Sequence, residues 1–286
     1  LAAQALGSGD YSKVRNVLGQ AIAIALALAS LLIVLQKPIG QLAFYLLEPS
    51  EEVVRHGWTY FSIRIWSGPA TLVNYAIIGW FIGMQNTRAP LYIMLATNLT
   101  NIALNLLFVL VLDYRAGGVA MASVIAELTG LATAAWLARR ELLGAAGALR
   151  WEQLIDTQRL SRIVSVNANI FVRTMSLMFV FGFITAQGAR QGTALLAANA
   201  ILINFQFFMA YALDGFAHSA EALVGRALGE KNMQGLKRAF RYSLYWSGAV
   251  AVLFALTYLV AGEHIIAMLT TQPELRAVTA GFLPWM

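Results

Sequence analysis

Three asparagines recur at i, i+3 and i+7 in the stretch "LATNLTNIALN" (95–105): Asn98, Asn101 and Asn105. At 3.6 residues per turn this spacing sets their amides on one face of a helix. Their surroundings are apolar. The amides therefore either bond across to a neighbouring helix, contributing about 0.6–2 kcal/mol each, or line a cavity where they hold a polar ligand or hydrate a proton path. Glu127 is the one charge in the run 116–138. A carboxyl in apolar surroundings favours its neutral form, the chemistry that a proton carrier needs. A protonated carboxyl bonded between helices is the alternative.

A second group lies further along the chain. Arg173 shares a helical face with Asn169 and Ser176, inside the long apolar run 163–189. Asp214 shares a stripe with Tyr211, His218 and Glu221, at offsets of −3, +4 and +7. A guanidinium inside a bilayer keeps its charge and needs an acceptor, and Asp214 is the nearest by depth. Two readings follow: a structural Arg173–Asp214 pair, or a pair that loosens when Asp214 is protonated and so moves its helices. These residues make Glu127, Asp214 and Arg173 the candidates for ion coupling. Asn98, Asn101, Asn105, Asn169 and Tyr211 are the candidates for a substrate cavity.

Catalytic patterns are missing. The spans contain no HExxH, no paired catalytic aspartates and no Ser/His arrangement. A nucleotide-driven pump would need GxxxxGK[ST], which is not present. A voltage sensor would need a series of arginines. Zero cysteines exclude disulfides and thiolate metal sites. The expectation is a chain that is not an enzyme and uses no cofactor beyond a coupling ion.

Helices that hold such residues must cross a bilayer. Apolar residues make up 59% of the 286, and charged residues 12%, against about 25% charged in a soluble domain. The mean hydropathy is +0.66. A span takes about 20 apolar residues. Runs of that length occupy 16–36, 65–87, 89–112, 116–138, 163–189, 191–213 and 242–262, and an eighth begins near Ala277. Barrel strands are excluded, because they would be about ten residues long and would alternate. "GWFIG" (79–83) is a GxxxG that lets helices approach closely, and Pro69 predicts a kink.

The net charge of +6 reflects topology rather than nucleic acid, since no basic cluster sits on a soluble module. With the N-terminus inside, thirteen Lys and Arg fall in inner loops and five in outer loops, as the positive-inside rule requires. The longest hydrophilic stretch, 139–162, then becomes a cytoplasmic connector between lobes 1–138 and 163–286. One phrase is written twice: "QALGSGDYSKVRN" (4–16) and "RALGEKNMQGLKR" (226–238). Shifting the chain by 222 residues superposes Leu1, Ala5, Leu6, Gly7, Gly40 and Glu52, among others, on identical residues. Weak internal symmetry of this kind is common in transporters. The chain begins at Leu1 and stops at "GFLPWM", inside a new apolar run, and both ends read as cut.

Taken in order, "LAAQALGSGDYSKVR" (1–15), "GMQNTRAPLYIMLATNLTNIALN" (83–105) and "GVAMASVIAELTG" (118–130) closely resemble multidrug and toxic compound extrusion (MATE) transporters. The stretch 168–232, with its Arg-Thr at Arg173 and "ALDGFA" at 212–217, resembles the DinF-like branch. The resemblance implies an all-α membrane fold of two parallel six-helix lobes, here the end of helix 2 through the start of helix 10. It implies a multi-pass protein of the bacterial inner membrane with the inter-lobe loop in the cytoplasm. It also implies export of small organic, often cationic or amphipathic compounds by H⁺ or Na⁺ antiport with alternating access. The expected partners are those compounds, the ion and membrane lipid, with no nucleic acid, on a monomer. Relatives often carry Asp where Asn105 stands and Gln where Glu127 stands, which moves the expected coupling away from Asn105. Lipid-linked precursors or organic anions are the alternative cargo on the same scaffold.

Overall fold

The computed structural model describes residues 1–47, 50–144 and 157–285. Among these residues every regular element is helical. The elements are α1 (Ala2–Gly7), α2 (Tyr11–Val34), α3 (Gln36–Leu47), α4 (Glu51–Arg64), α5 (Gly68–Gly83), α6 (Arg88–Asn105), α7 (Arg115–Gly144), α8 (Thr157–Arg190), α9 (Thr193–Gly229), α10 (Met233–Leu269) and α11 (Pro273–Phe282). Among the described residues seven helical segments are long and apolar enough to cross a membrane: Tyr11–Val34, Glu51–Gly83, Arg88–Val111, Arg115–Gly144, Ala168–Gly188, Leu195–Gly229 and Met233–Leu269. Seven complete spans were expected, and the fold is that of an all-α membrane protein.

One span differs from its sequence reading. The uncharged run began after Arg64, but the helical segment runs from Glu51 to Gly83, so Arg64 lies near its middle. A tight 3₁₀ turn at Ile65–Ser67 joins α4 to α5, and Pro69 falls in the first turn of α5. The kink expected at Pro69, at the end of its span, is instead a break at Ile65–Ser67, just before the proline and near the middle of the longer segment. Proline is tolerated there because a first-turn residue needs no intrahelical N–H partner. Of the GxxxG pair, only Gly83 is closely approached: a Cβ there would lie 2.8 Å from the Cβ of Ala2, whereas Gly79 has nothing within 4 Å. In the stretch 139–162, residues 139–144 extend α7 and 157–162 begin α8. Residues 145–156 lie outside the described residues.

The chain divides into two compact units. Unit 1 is Leu1–Ile155 together with Gly225–Asn232, and unit 2 is Asp156–Val224 with Met233–Met286. In unit 1, α2 packs on α5, and α7 packs on α4, α5 and α6. Val14, Leu18, Trp80, Phe81 and Ile93 fill the core. The indole N–H of Trp80 donates to the Val14 carbonyl at 3.1 Å, so its one polar group is satisfied inside the core. In unit 2 the buried cluster is Phe205, Tyr258 and Ile266, and the Tyr258 hydroxyl donates to the Phe205 carbonyl at 2.8 Å. Outward faces stay apolar, as on α6 with Leu91, Leu95, Leu99 and Ile102 all exposed. Lipid is the solvent that such faces fit.

The 222-residue repeat is present in the backbone. Shifting α2 and α3 together, Tyr11 to Leu47, by 222 gives Met233 to Leu269, the bounds of α10; Glu51 maps onto Pro273, the start of α11. Both copies of the repeated phrase end a helix with the same left-handed turn. At Gly9 φ is +71° and at Lys231 it is +55°. The N–H groups of Gly9 and Asp10 donate to Leu6 and Ala5 at 3.0 and 3.1 Å. Those of Lys231 and Asn232 donate to Leu228 and Ala227 at 3.1 and 2.9 Å. This is the Schellman arrangement, which satisfies the last carbonyls of a helix.

The two turns also touch. Gly225–Asn232 belongs to unit 1, where it lies against α1. A Cβ on Gly7 would lie 2.1 Å from the Arg226 carbonyl oxygen, and a Cβ on Gly229 would lie 2.2 Å from that of Gln4. Gly7 and Gly229 are repeat equivalents, and so are Gln4 and Arg226. The contact is therefore reciprocal, as at a local two-fold axis. Only the missing side chains let the helix ends approach this closely.

A methyl group at either crossing glycine meets backbone, which cannot move aside. Gly229→Ala is expected to destabilise the folded protein by about 1–3 kcal/mol, the range for overpacking. Gly79→Ala is expected to stay within about 0.5 kcal/mol. Thermal unfolding of both variants in detergent checks the difference, and equal midpoints would remove the crossing from the account.

Candidate functional site

The polar centre of unit 1 is built on Glu127, midway along α7. Its carboxylate oxygen Oε1 lies 3.4 Å from Nη2 of Arg64, the last residue of α4. The two side chains are 18% and 30% exposed. On the other side Asn74 of α5 reaches over, its amide nitrogen donating to Glu127 Oε2 at 3.2 Å and to the Glu127 carbonyl at 3.1 Å. Arg64 Nη1 also donates to the Ser67 hydroxyl, which in turn donates to the Arg64 carbonyl at 2.7 Å. Ser67 and Asn74 are buried. The expectation of a lone carboxyl is thus corrected: Glu127 is paired. A charge inside a bilayer persists where it faces a partner, and Arg64, counted from the sequence within a span but with no partner named, is that partner.

The arrangement has one unmet bond. Asn74 Oδ1 is buried and has no hydrogen-bond partner among the described residues. A free acceptor therefore sits next to a carboxylate, and that pair of groups can receive a proton or a polar cargo atom. Space for Asn74 comes from Gly130, where a Cβ would lie 3.1 Å from the amide nitrogen and 2.2 Å from the Thr97 hydroxyl. The small residue thereby lets α5, α6 and α7 meet at one level.

The asparagine face is split. Asn105 donates to Asn101 at 2.9 Å, and Asn101 donates to the Ser123 hydroxyl at 3.3 Å. Asn98 is exposed and makes no hydrogen bond among the described residues. Asn105 Oδ1 is buried without a partner. Ser123 lies one turn before Glu127 on the same face of α7, so the amide ladder leads towards the Arg64–Glu127 pair. Just after Asn105 the helix widens into a π-turn at Leu106–Val111, a feature frequent at functional sites.

Unit 2 does not assemble its candidates in the same way. Arg173 on α8 and Asp214 on α9 are both exposed, and no ion pair joins them. The expected pair is therefore not formed. Asn169 is exposed as well. Tyr211 is exposed and stacks on Phe207 with ring centres 6.2 Å apart. His218 Nδ1 lies 3.7 Å from Glu221 on an exposed face. Each was placed on its stripe from helical spacing, but spacing along one helix says nothing about which residue of the next helix it meets.

This helical order can be compared with known proteins. The MatE family model matches residues 1–107 and 168–286. The chain belongs to the MatE family. It is 36% identical to DNA damage-inducible protein F of Escherichia coli over its whole length. It is 25% identical to the probable multidrug resistance protein NorM of Geobacillus kaustophilus over 97% of its length. In each case it spans 62% of the relative. Among solved structures, a variant of the Vibrio cholerae MATE transporter VcmN superposes over 99% of this chain and 64% of its own, with a TM-score of 0.86 at 24% identity. A MOP superfamily transporter from Pyrococcus furiosus, described by the reverse polarity of its binding pocket, superposes over the same shares with a TM-score of 0.87 at 16% identity. These likenesses show the fold.

Within this MatE chain, sequence reasoning missed Asn74, Ser67 and Ser123. Asn74 was the detectable one, an isolated amide inside the uncharged run 65–87. If Arg64 and Glu127 support one another, removing both should cost less than the sum of removing each alone. Arg64→Gln and Glu127→Gln, singly and together, are expected to show a coupling of about 1 kcal/mol. That is less than the 3–5 kcal/mol of breaking a buried pair, because Arg64 is partly exposed. A thermal-unfolding double-mutant cycle in detergent measures it, and strict additivity would contradict the pairing.

Proposed function

We propose that the protein to which this chain belongs is an ion-driven exporter of small organic compounds, often cationic or amphipathic, working by alternating access, and that Glu127 is its coupling carboxylate. Membership of the MatE family supports the transport class. The observation that carries the coupling is the Arg64–Glu127–Asn74 contact at mid-span. H⁺ is the coupling ion favoured by the chemistry. A guanidinium beside the carboxylate opposes H⁺ and Na⁺ alike, but one carboxylate and one open amide oxygen are too few to replace the hydration shell of Na⁺, whereas a proton needs a single oxygen and, once bound, releases the guanidinium.

The consequence of protonation is mechanical. Arg64 holds Glu127 with one nitrogen and Ser67 with another. Ser67 closes the 3₁₀ turn between α4 and α5, the point in this span where the helix ladder is broken. A short 3₁₀ stretch inside a helix often marks a hinge. Losing the carboxylate charge loosens Arg64 and so frees the hinge, while Asn74 Oδ1 accepts from the new carboxylic O–H. The exposed Asn98 and the Asn101–Asn105 amides, whose Asn105 Oδ1 lacks a partner among the described residues, bind cargo. Anionic cargo is the second reading, favoured by Arg173, an exposed cation on a membrane span that makes no ion pair or hydrogen bond among the described residues.

Full-length protein in vesicles, with an imposed pH or Na⁺ gradient and a fluorescent cationic dye, tests both readings. The pH gradient is expected to drive dye movement, and Glu127→Gln is expected to cut the gradient-driven rate at least tenfold with expression intact. Dye movement of equal rate without either gradient would overturn antiport. A wild-type rate in Glu127→Gln would overturn the assignment of this residue.

A further inference from the structure

A cavity of about 770 Å³ opens where α5 ends, α6 begins and α7 ends, away from the Glu127 site. Its walls carry two arginines, Arg88 on α6 and Arg140 on α7, and two tyrosines, Tyr11 and Tyr92. Leu137 and Phe81 form its apolar floor. Both arginines are exposed, and neither makes an ion pair or hydrogen bond among the described residues. The carboxylate in the cavity, Glu141, does not neutralise them. Its Oε2 instead accepts from the Asn86 amide at 3.4 Å. Among the described residues the same cavity therefore holds two guanidinium groups outside any ion pair, against one carboxylate, together with the positive end of α6 and a wall for hydrocarbon.

We propose that this cavity binds the phosphate of an anionic glycerophospholipid. A guanidinium presents paired N–H donors that match a phosphate's oxygens. Basic pockets between spanning helices hold anionic lipid head groups, and tyrosines with one wet end suit the head-group level. The occupant is a lipid rather than a free anion because the cavity continues onto hydrocarbon-facing surface. Arg88, Leu91, Tyr92 and Leu95 follow one another at i, i+3, i+4 and i+7 on α6, and the last three are exposed. An acyl chain laid on that stripe starts at the arginine that holds its phosphate. A cationic pocket fed only from water would gain nothing from such a stripe.

Full-length, delipidated protein in detergent tests the site, with native mass spectrometry reading the retained lipid. Phosphatidylglycerol is offered against phosphatidylcholine, and inorganic phosphate is the second arm. Wild type is expected to prefer phosphatidylglycerol by about thirty-fold, since each of the two arginines beside an anionic lipid contributes about a fivefold preference. Arg88→Gln with Arg140→Gln is expected to abolish the preference. Glu141→Gln, which removes the one carboxylate, is expected to strengthen it severalfold and keeps the test alive if the double variant misfolds. Arg139→Gln, on the neighbouring face, is expected to change nothing. Equal retention of the two lipids, or an unchanged preference in the double variant, would overturn the site. Inorganic phosphate competing as well as phosphatidylglycerol would overturn the lipid assignment.

Discussion

A carboxylate in the middle of an apolar helix has to be met by something, because lipid offers no hydrogen bonds. In this chain Glu127 is met by Arg64 and Asn74, from the two halves of one broken span. That requirement orders the rest of unit 1. α7 has to lie against both α4 and α5, and the break at Ile65–Ser67 lets the two halves approach it at different angles. Gly130 clears the space in which Asn74, Thr97 and α7 converge. The cluster is too well partnered to be an accident of composition and too incompletely satisfied to be inert. The unpartnered Oδ1 of Asn74 leaves one acceptor open beside the carboxylate.

The glycine crossing and the polar centre serve different ends of the same unit. At one end Gly7 and Gly229 bring equivalent helix turns into reciprocal contact. At mid-span the Arg64–Glu127 pair joins α4 to α7. Neither depends on a long-range field; each is a short contact between backbone or side chains that must be made or broken as a whole. The repeat explains the economy of the design. The phrase at 4–16 and its copy at 226–238 encode the same Schellman turn, so one solution for leaving the bilayer is used twice. Gly40 and Gly262 repeat a further solution: a Cβ on either would collide with a side chain, of Trp58 in one copy and of Leu283 in the other.

Much of this was legible in the sequence, and the part that was not has a physical reason. Uncharged runs of about twenty residues announce spans, because hydrocarbon tolerates little else, and all seven were readable. The turn at Gly9 and its partner at Lys231 were readable from the repeated Ala-Leu-Gly. Helical spacing placed Asn101 and Asn105 on one face, where they bond to each other. It could not show that Asn98 turns away from them, since a one-dimensional period does not say where the neighbouring helix lies. The same gap explains Arg64. It was counted within a span although it bounds an uncharged run, and only the fold shows that its charge is met by Glu127. Arg173 and Asp214 failed for the converse reason: two charges of opposite sign at similar depth need not face one another.

The central claim is that protonation of Glu127 is linked to occupation by cargo. The direct measurement is the number of protons released when a cationic dye binds full-length protein in weakly buffered detergent solution. At a pH low enough to protonate Glu127 in the dye-free protein, the account predicts that wild type releases up to one proton per dye bound, as expected for mutually exclusive occupancy, and that Glu127→Gln releases none while still binding dye. Equal proton release from wild type and Glu127→Gln would contradict it.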